Sequence, residues 1–367
     1  MDKVILKLKD GKEFSGISFG KKPEEEVGEV VFNTGIPGYQ EILTDPSYNG
    51  QIVLLTSPMI GNYGITISDM ESSGVKATAL LVRKLYRGPV MDGRITLDEY
   101  LNREGKTAIE GLDTRALTLY LREHGSQNGV IFLEENREKA LKKLATYKDI
   151  TELDLIDGVS VKESIYNPDL GEGFPKPPLN PERHFALLDF GIKKSIIKNL
   201  YHKNVAVTLI PHNAKADEIL SVKPDALFLS NGPGDPAYLK NEIEVIKSLV
   251  DKLPIVGICL GHQLITHALG GSTVKMKFGH HGSNHPVKDL VSGKVFVTAQ
   301  NHGFMSDRDS LPEDVEIWLE NANDGSVEGI RAKAHRVLSV QFHPEAAPGP
   351  EDALYIFDKF IEVSYEA

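Results

Sequence analysis

The sequence predicts an α/β protein in which an N-terminal α+β domain is followed by a C-terminal α/β domain with a mostly parallel central sheet. Three observations carry this. At 367 residues the chain exceeds one ordinary core and suits two domains. The run NPDLGEGFPKPPLNP from Asn167 to Pro181 holds five prolines and two glycines, a composition that propagates neither helix nor central strand. After it, apolar strands alternate with amphipathic helices, the rhythm of a parallel sheet covered on both faces. The expected domains are therefore 1–170 and 182–367, with a linker over 171–181.

In the first domain, Val4 to Leu8, Glu29 to Phe32 and Gln51 to Leu55 read as short strands followed by turn residues. Thr78 to Leu85, Arg115 to His124 (stopped by Gly125) and Asn136 to Tyr147 read as helices. In the second, strands are expected at Phe185 to Phe190, Val205 to Ile210, Ala226 to Ser230 and Ile255 to Ile258. They alternate with helices at Lys194 to His202, Ala216 to Val222, Glu242 to Val250 and Leu260 to Leu269. Strands at Lys294 to Ala299, Val315 to Leu319 and Val337 to Phe342 extend the sheet, and Asp352 to Val363 closes with a helix. Sites in such folds lie at the carboxyl ends of the strands.

Composition narrows the function classes. The 41 basic and 52 acidic residues give a formal charge of -11, which disfavours nucleic acid or an anionic membrane as partner. One cysteine allows no intramolecular disulfide, and the first twenty residues alternate charged and apolar groups, unlike a signal peptide. Apolar runs fall far short of the roughly 20 residues of a membrane span. A cytoplasmic chain acting on a small substrate or a protein partner is expected.

The lone cysteine sits in Ile255-Val256-Gly257-Ile258-Cys259-Leu260-Gly261, an apolar strand running into a helix through Gly-x-Cys-x-Gly. A nucleophile on so tight a turn takes a strained backbone, and glycine two residues to either side avoids a clash. The helix start beside it favours thiolate over thiol. A base follows from Val337 to Glu345, where an apolar strand ends in His343-Pro344-Glu345. Proline fixes the backbone between them, so that Glu345 reaches one ring nitrogen of His343 and leaves the other for the nucleophile. His262 and His267, on the nucleophile's own helix, are the rival bases; His262, one turn from the nucleophile, has no carboxylate at comparable spacing and ranks second. Ser230-Asn231-Gly232-Pro233-Gly234-Asp235-Pro236 follows another strand. Its Gly232 N–H and that of Leu260 are the candidate oxyanion donors, worth about 3 kcal/mol each. His280, His281, His285 and His302 match no zinc spacing and read as hydrogen-bonded loop residues, so no metal site is expected. No glycine-rich loop ends in Lys-Ser or Lys-Thr, so the chain offers no P-loop.

With the Asn-Gly-Pro-Gly-Asp-Pro loop, Cys259, His343 and Glu345 in this order along the chain, the C-terminal domain resembles the class I, or triad, glutamine amidotransferases. Four N-terminal segments, GEVVFN (28–33), GYQEILTDPSY (38–48), GNYG (61–64) and GLDTRALT (111–118), resemble the small, glutamine-hydrolysing subunit family of carbamoyl-phosphate synthetases. The resemblance implies hydrolysis of glutamine through a Cys259 thioester and delivery of ammonia to a large synthetase subunit, serving arginine synthesis, pyrimidine synthesis or both. It implies no cofactor in this chain, ATP and magnesium being expected on the large subunit. It places Ser47, Gly232, Gly234, Leu260, Gln263, Asn301, Gly303 and Phe304 in contact with glutamine, Ser47 from the other domain. An amidotransferase subunit of another synthetase, disfavoured by the extra N-terminal domain, and a catalytically silent regulatory subunit, disfavoured by the intact triad, are the alternatives.

Overall fold

The computed structural model describes residues 2–365. The described residues pack as two compact units, one of residues 2–153 with Lys277–His281, the other of 154–276 and 282–365.

In the first unit, strands β1 (Lys3–Leu8), β2 (Glu13–Gly20), β3 (Glu25–Asn33), β4 (Gln51–Leu55), β5 (Ala79–Leu81), β6 (Thr107–Glu110) and β7 (Gln127–Leu133) close into a barrel. The order is β1-β2-β6-β5-β4-β3-β7, with β3, β4, β5 and β6 mutually parallel and β7 pairing back onto β1. Helices α1 (Tyr39–Thr44), α2 (Leu97–Arg103), α3 (Thr114–His124) and α4 (Arg137–Thr146) complete it. Strand side chains alternate between two layers. Leu6, Val30, Ile52 and Leu81 pack with Leu117 and Leu121 of α3, whereas Val31, Val53 and Leu80 pack with Leu43 of α1 and Leu101 of α2. The α+β content is as expected, but Thr78 to Leu85 is a correction: its centre is the strand β5. Ala79, Leu80 and Leu81 are all buried, and a short run buried on both faces gives no periodicity by which helix and strand differ.

The second unit holds strands β8 (Ile165–Tyr166), β9 (Arg183–Asp189), β10 (Val205–Pro211), β11 (Ala226–Leu229), β12 (Ile255–Ile258), β13 (Thr273–Asp289, apart from its stretch Lys277–His281, which belongs to the first unit), β14 (Val295–Ser306), β15 (Glu316–Asn321), β16 (Val327–Ala332) and β17 (Val337–Val340). The ten-stranded order is β14-β13-β15-β16-β17-β12-β11-β9-β10-β8. Its centre, β17-β12-β11-β9-β10, is parallel, and β16, β15 and β8 join antiparallel. Helices α5 (Lys194–His202) and α9 (Ile356–Val363) cover one face, and α6 (Ala216–Ser221), α7 (Lys240–Leu249) and α8 (Leu260–Ala268) the other. The pleat sorts the core: Phe185, Leu187, Phe228 and Val256 face α5 and α9, while Ala186, Leu188, Leu227 and Ile255 face α6 to α8.

The proline-rich run over 167–181 is irregular, yet the division between compact units falls earlier, at Leu153/Asp154. The reason is local: Ile165 and Tyr166 pair with Leu209 and Thr208 of β10, which ties the segment before the prolines into the second sheet. The histidines read as loop residues lie instead on the long strands β13 and β14, with His280, His281 and His302 buried. Their run of Gly, Lys, Asn and Pro hid the strand. Among the described residues no helix is long and apolar enough to cross a membrane.

Candidate active site

The strand-to-helix turn from β12 to α8 sets the position of the sulfur. Cys259 takes φ 54°, ψ -106°, a conformation costly for a side chain with a Cβ. The turn is over-determined by its surroundings. A Cβ on Gly257 would stand 2.9 Å from the Gly261 carbonyl carbon, and one on Gly261 would stand 2.2 Å from the Leu229 carbonyl oxygen. The Cys259 N–H donates to Val340 O of β17 at 3.0 Å, and Gly261 N–H to Ser230 O at 3.0 Å, so two neighbouring strands clamp the turn. Leu260 is the first residue of α8, where no carbonyl within the helix can accept its N–H.

His343 and Glu345 follow β17, the strand beside β12. Glu345 Oε1 lies 2.7 Å from His343 Nδ1, and both side chains are buried. The other ring nitrogen makes no full hydrogen bond; it faces the Cys259 thiol closely enough for the two to couple electrostatically. The thiol donates to the Asn301 carbonyl at 3.5 Å.

Burial alone would neutralise both partners, and charge pairing overrides it. For His343, burial pushes the pKa down, but the Glu345 carboxylate and Cys259 outweigh it and raise the imidazole to about 10. For Glu345, burial pushes up, but the charges of Lys193 and His343 outweigh it and hold the carboxyl at about 2. Lys193 is a participant the sequence did not reveal. Its Nζ lies 2.9 Å from Glu345 Oε1 and 2.8 Å from the Ala346 carbonyl, with the side chain 3% exposed. Two adjacent lysines, Lys193 and Lys194, follow β9, and nothing in that order tells which one turns inward.

The rival bases are occupied otherwise. His262 bridges Ser339 Oγ at 2.9 Å and Ser306 Oγ at 3.0 Å, fully buried, and burial drops its pKa to about 3. It is a neutral core imidazole. His267, at the last turn of α8, meets Thr273 Oγ1 at 2.9 Å, and burial lowers its pKa as well.

The Gly232 loop stands where β11 ends, as expected. A Cβ on Gly232 would lie 2.3 Å from the Phe190 carbonyl oxygen, so only glycine fits. Gly234 has φ +93° and precedes Asp235, whose carboxylate accepts from Ala237 N–H at 2.9 Å. Gln263, buried on α8, donates Nε2 to Phe304 O at 2.8 Å and to Gln341 Oε1 at 3.0 Å. Asn301, Gly303 and Phe304 lie on β14, and a Cβ on Gly303 would meet nothing within 4 Å. Ser47 belongs to the first unit, on a buried 3-10 turn where its N–H donates to Asp45 Oδ1 at 2.9 Å.

Comparison with known proteins agrees with this geometry. The family model "Glutamine amidotransferase class-I" matches residues 186–363, and "Carbamoyl-phosphate synthase small chain, CPSase domain" matches 6–131. A relative from Clostridium perfringens named "Carbamoyl phosphate synthase small chain" is 47% identical over 362 residues, covering 98% of this chain and 99% of its own. The chain belongs to the carbamoyl-phosphate synthase small chain family. Relatives of the same name from Aquifex aeolicus and Methanocaldococcus jannaschii are 45% and 44% identical, each comparison covering 98% of both chains.

Against that family background, the second unit contains Cys259, His343 and Glu345 as one constellation, with Lys193 behind the acid. Asp189, at the end of β9, shapes the turn that carries Lys193. Its Oδ1 accepts from Gly191 and Ile192 N–H at 2.9 and 2.8 Å, and its Oδ2 from Val161 N–H at 2.8 Å. Asn231 Oδ1 receives the Lys193 N–H at 3.2 Å, tying the turn to the Gly232 loop.

Proposed function

We propose that this chain is the glutamine-hydrolysing component of carbamoyl-phosphate synthase. The observation that carries the reading is the buried Cys259, His343 and Glu345 constellation on a glycine-flanked nucleophile turn, in a chain that matches the small-chain family along its whole length.

The Cys259 thiolate, its proton already held by His343, attacks the side-chain amide carbon of glutamine. The Gly232 and Leu260 amides stabilise the oxyanion. His343 returns the proton to the leaving nitrogen, ammonia departs, and the glutamyl thioester remains on Cys259. His343 then deprotonates the water that hydrolyses the thioester to glutamate. Glu345, held ionised by Lys193, fixes the ring and stabilises its charged form. Leu260, Gln263, Asn301, Gly303, Phe304, Gly232 and Gly234 are the residues proposed to hold glutamine. Because Gln263 Nε2 is already spent on Phe304 and Gln341, its side-chain oxygen is the atom left for the substrate.

The name "small chain" carried by the relatives supports a separate large subunit as partner. That subunit is proposed to bind ATP and magnesium and to consume the ammonia in the cytoplasm. The test is an assay of the assembled enzyme: Cys259→Ser abolishes glutamine-dependent carbamoyl phosphate synthesis and spares synthesis from free ammonia. Unchanged glutamine-dependent activity in Cys259→Ser contradicts the reading.

A further inference from the structure

Away from Cys259, the second unit contains a cavity of about 340 Å³ at the amino-terminal end of β17, where Val337 and Leu338 form part of the wall. Trp318 of β15 and Tyr355, just ahead of α9, give it an aromatic lining. Around them stand four cationic side chains, Arg331, Lys333, Arg336 and Lys359, against two acids, Asp289 and Glu362. In a chain of formal charge -11, this is a local reversal of sign.

The existing pairings leave part of that positive charge available. Arg331 is committed to Glu316, with Nε 2.6 Å from Oε2. Lys359 pairs with Glu362 at 2.6 Å across one exposed helical turn, a contact that contributes little in water. Asp289 turns its Oδ1 toward the Val291 and Ser292 amides, at 2.8 and 3.0 Å. Lys333 is exposed and makes no ion pair or side-chain hydrogen bond among the described residues.

The volume lies in the range of small-molecule sites, about 300–1,000 Å³. An aromatic wall stabilises a planar apolar body, and lysines at the mouth stabilise a negative charge without requiring its burial. We infer that this cavity binds a small organic anion with a ring-sized apolar body, an aromatic carboxylate or phosphate monoester. The ligand would not occupy the nucleophile's site. The Val340 carbonyl that receives the Cys259 N–H lies three residues along β17, about 10 Å further at the usual strand rise.

Trp318 is the chain's one tryptophan, so occupancy is read directly from its fluorescence. The full chain is titrated with benzoate and phenyl phosphate, and with neutral benzamide as the control. The expected result is a saturable change with at least one anion and an affinity for benzamide at least tenfold weaker. Lys333→Gln and Lys359→Gln, both at exposed positions, weaken the anion severalfold each, and alkylation of Cys259 with iodoacetamide leaves the titration unchanged. The tighter of the two anions identifies the carboxylate or the phosphate as the preferred head group. Absence of a saturable change, equal binding of benzamide, indifference to both lysine substitutions, or loss of the signal on alkylation each overturns the inference, the last by placing the ligand at Cys259.

Discussion

At the scale of single residues, the site is a chain of buried charges in which each member is held ionised by the next. Lys193 keeps Glu345 anionic, and Glu345 keeps the His343 imidazole basic. Lys193→Gln removes a cation from a pair whose side chains are 3% and 0% exposed. Unfolding in denaturant is expected to show a loss of about 3 kcal/mol, the order found when one partner of a buried pair is removed. The pH dependence has a definite sign. His343 is raised from its ordinary 6.5 to about 10, so its contribution to stability is fully present below 6.5 and is lost as pH rises through 10. Glu345→Gln removes the main cause of that shift. Thermal melts of the two proteins are therefore expected to show a stability gap that narrows between pH 6.5 and pH 10. His262 provides the contrast: with a pKa near 3 it stays neutral through the working range. His262→Asn should lower melting temperature without moving either limb of the pH–rate profile, and a displaced limb would make His262 a titrating participant.

At the scale of elements, the nucleophile turn works because three backbones approach more closely than a Cβ permits. Gly261→Ala places a methyl 2.2 Å from the Leu229 carbonyl oxygen, with only backbone to yield. Denaturant melts are expected to show a loss of about 3 kcal/mol, at the upper end for an overpacked core. Gly303→Ala, where a Cβ meets nothing within 4 Å, should stay within about 0.5 kcal/mol of the parent. This turn was legible in the sequence because its constraint is local: the strand, the cysteine and both glycines are contiguous. The Glu345-to-His343 contact was legible for the same reason, with proline fixing the two-residue span. Lys193 was not. Its role depends on the turn after β9 reaching the residues that follow β17, with two strands, β11 and β12, between them in the sheet, and sheet order is a property of long-range pairing that neighbouring residues do not encode. The strand β5, misread as a helix, and the strand β13, with its histidines read as loop, failed differently. In β5 burial on both faces erased the alternation, and in β13 polar and glycine residues replaced it.

At the scale of the whole molecule, the alternation after the proline-rich run predicted the parallel centre of the second unit and the helices on both its faces, because each strand buried on two faces and each helix buried on one leaves its own pattern, whereas the antiparallel additions β8, β13 and β16 were not read. Closure of the first unit's strands into a barrel was not legible. It depends on β1 pairing with β7 across most of that unit, and short strands of either open or closed sheets read alike. Family membership covers both units, and from it we propose that glutamine hydrolysis here supplies a reaction completed on another chain. The central claim is the covalent step at Cys259. The most direct measurement is acid-quenched peptide mass spectrometry of the purified chain, alone and with its synthetase partner, mixed with glutamine. The account predicts a glutamyl adduct on the Cys259 peptide that disappears on treatment with hydroxylamine and is lost in Cys259→Ala. Steady glutamine hydrolysis with no adduct on Cys259, or undiminished hydrolysis by Cys259→Ala, would contradict it.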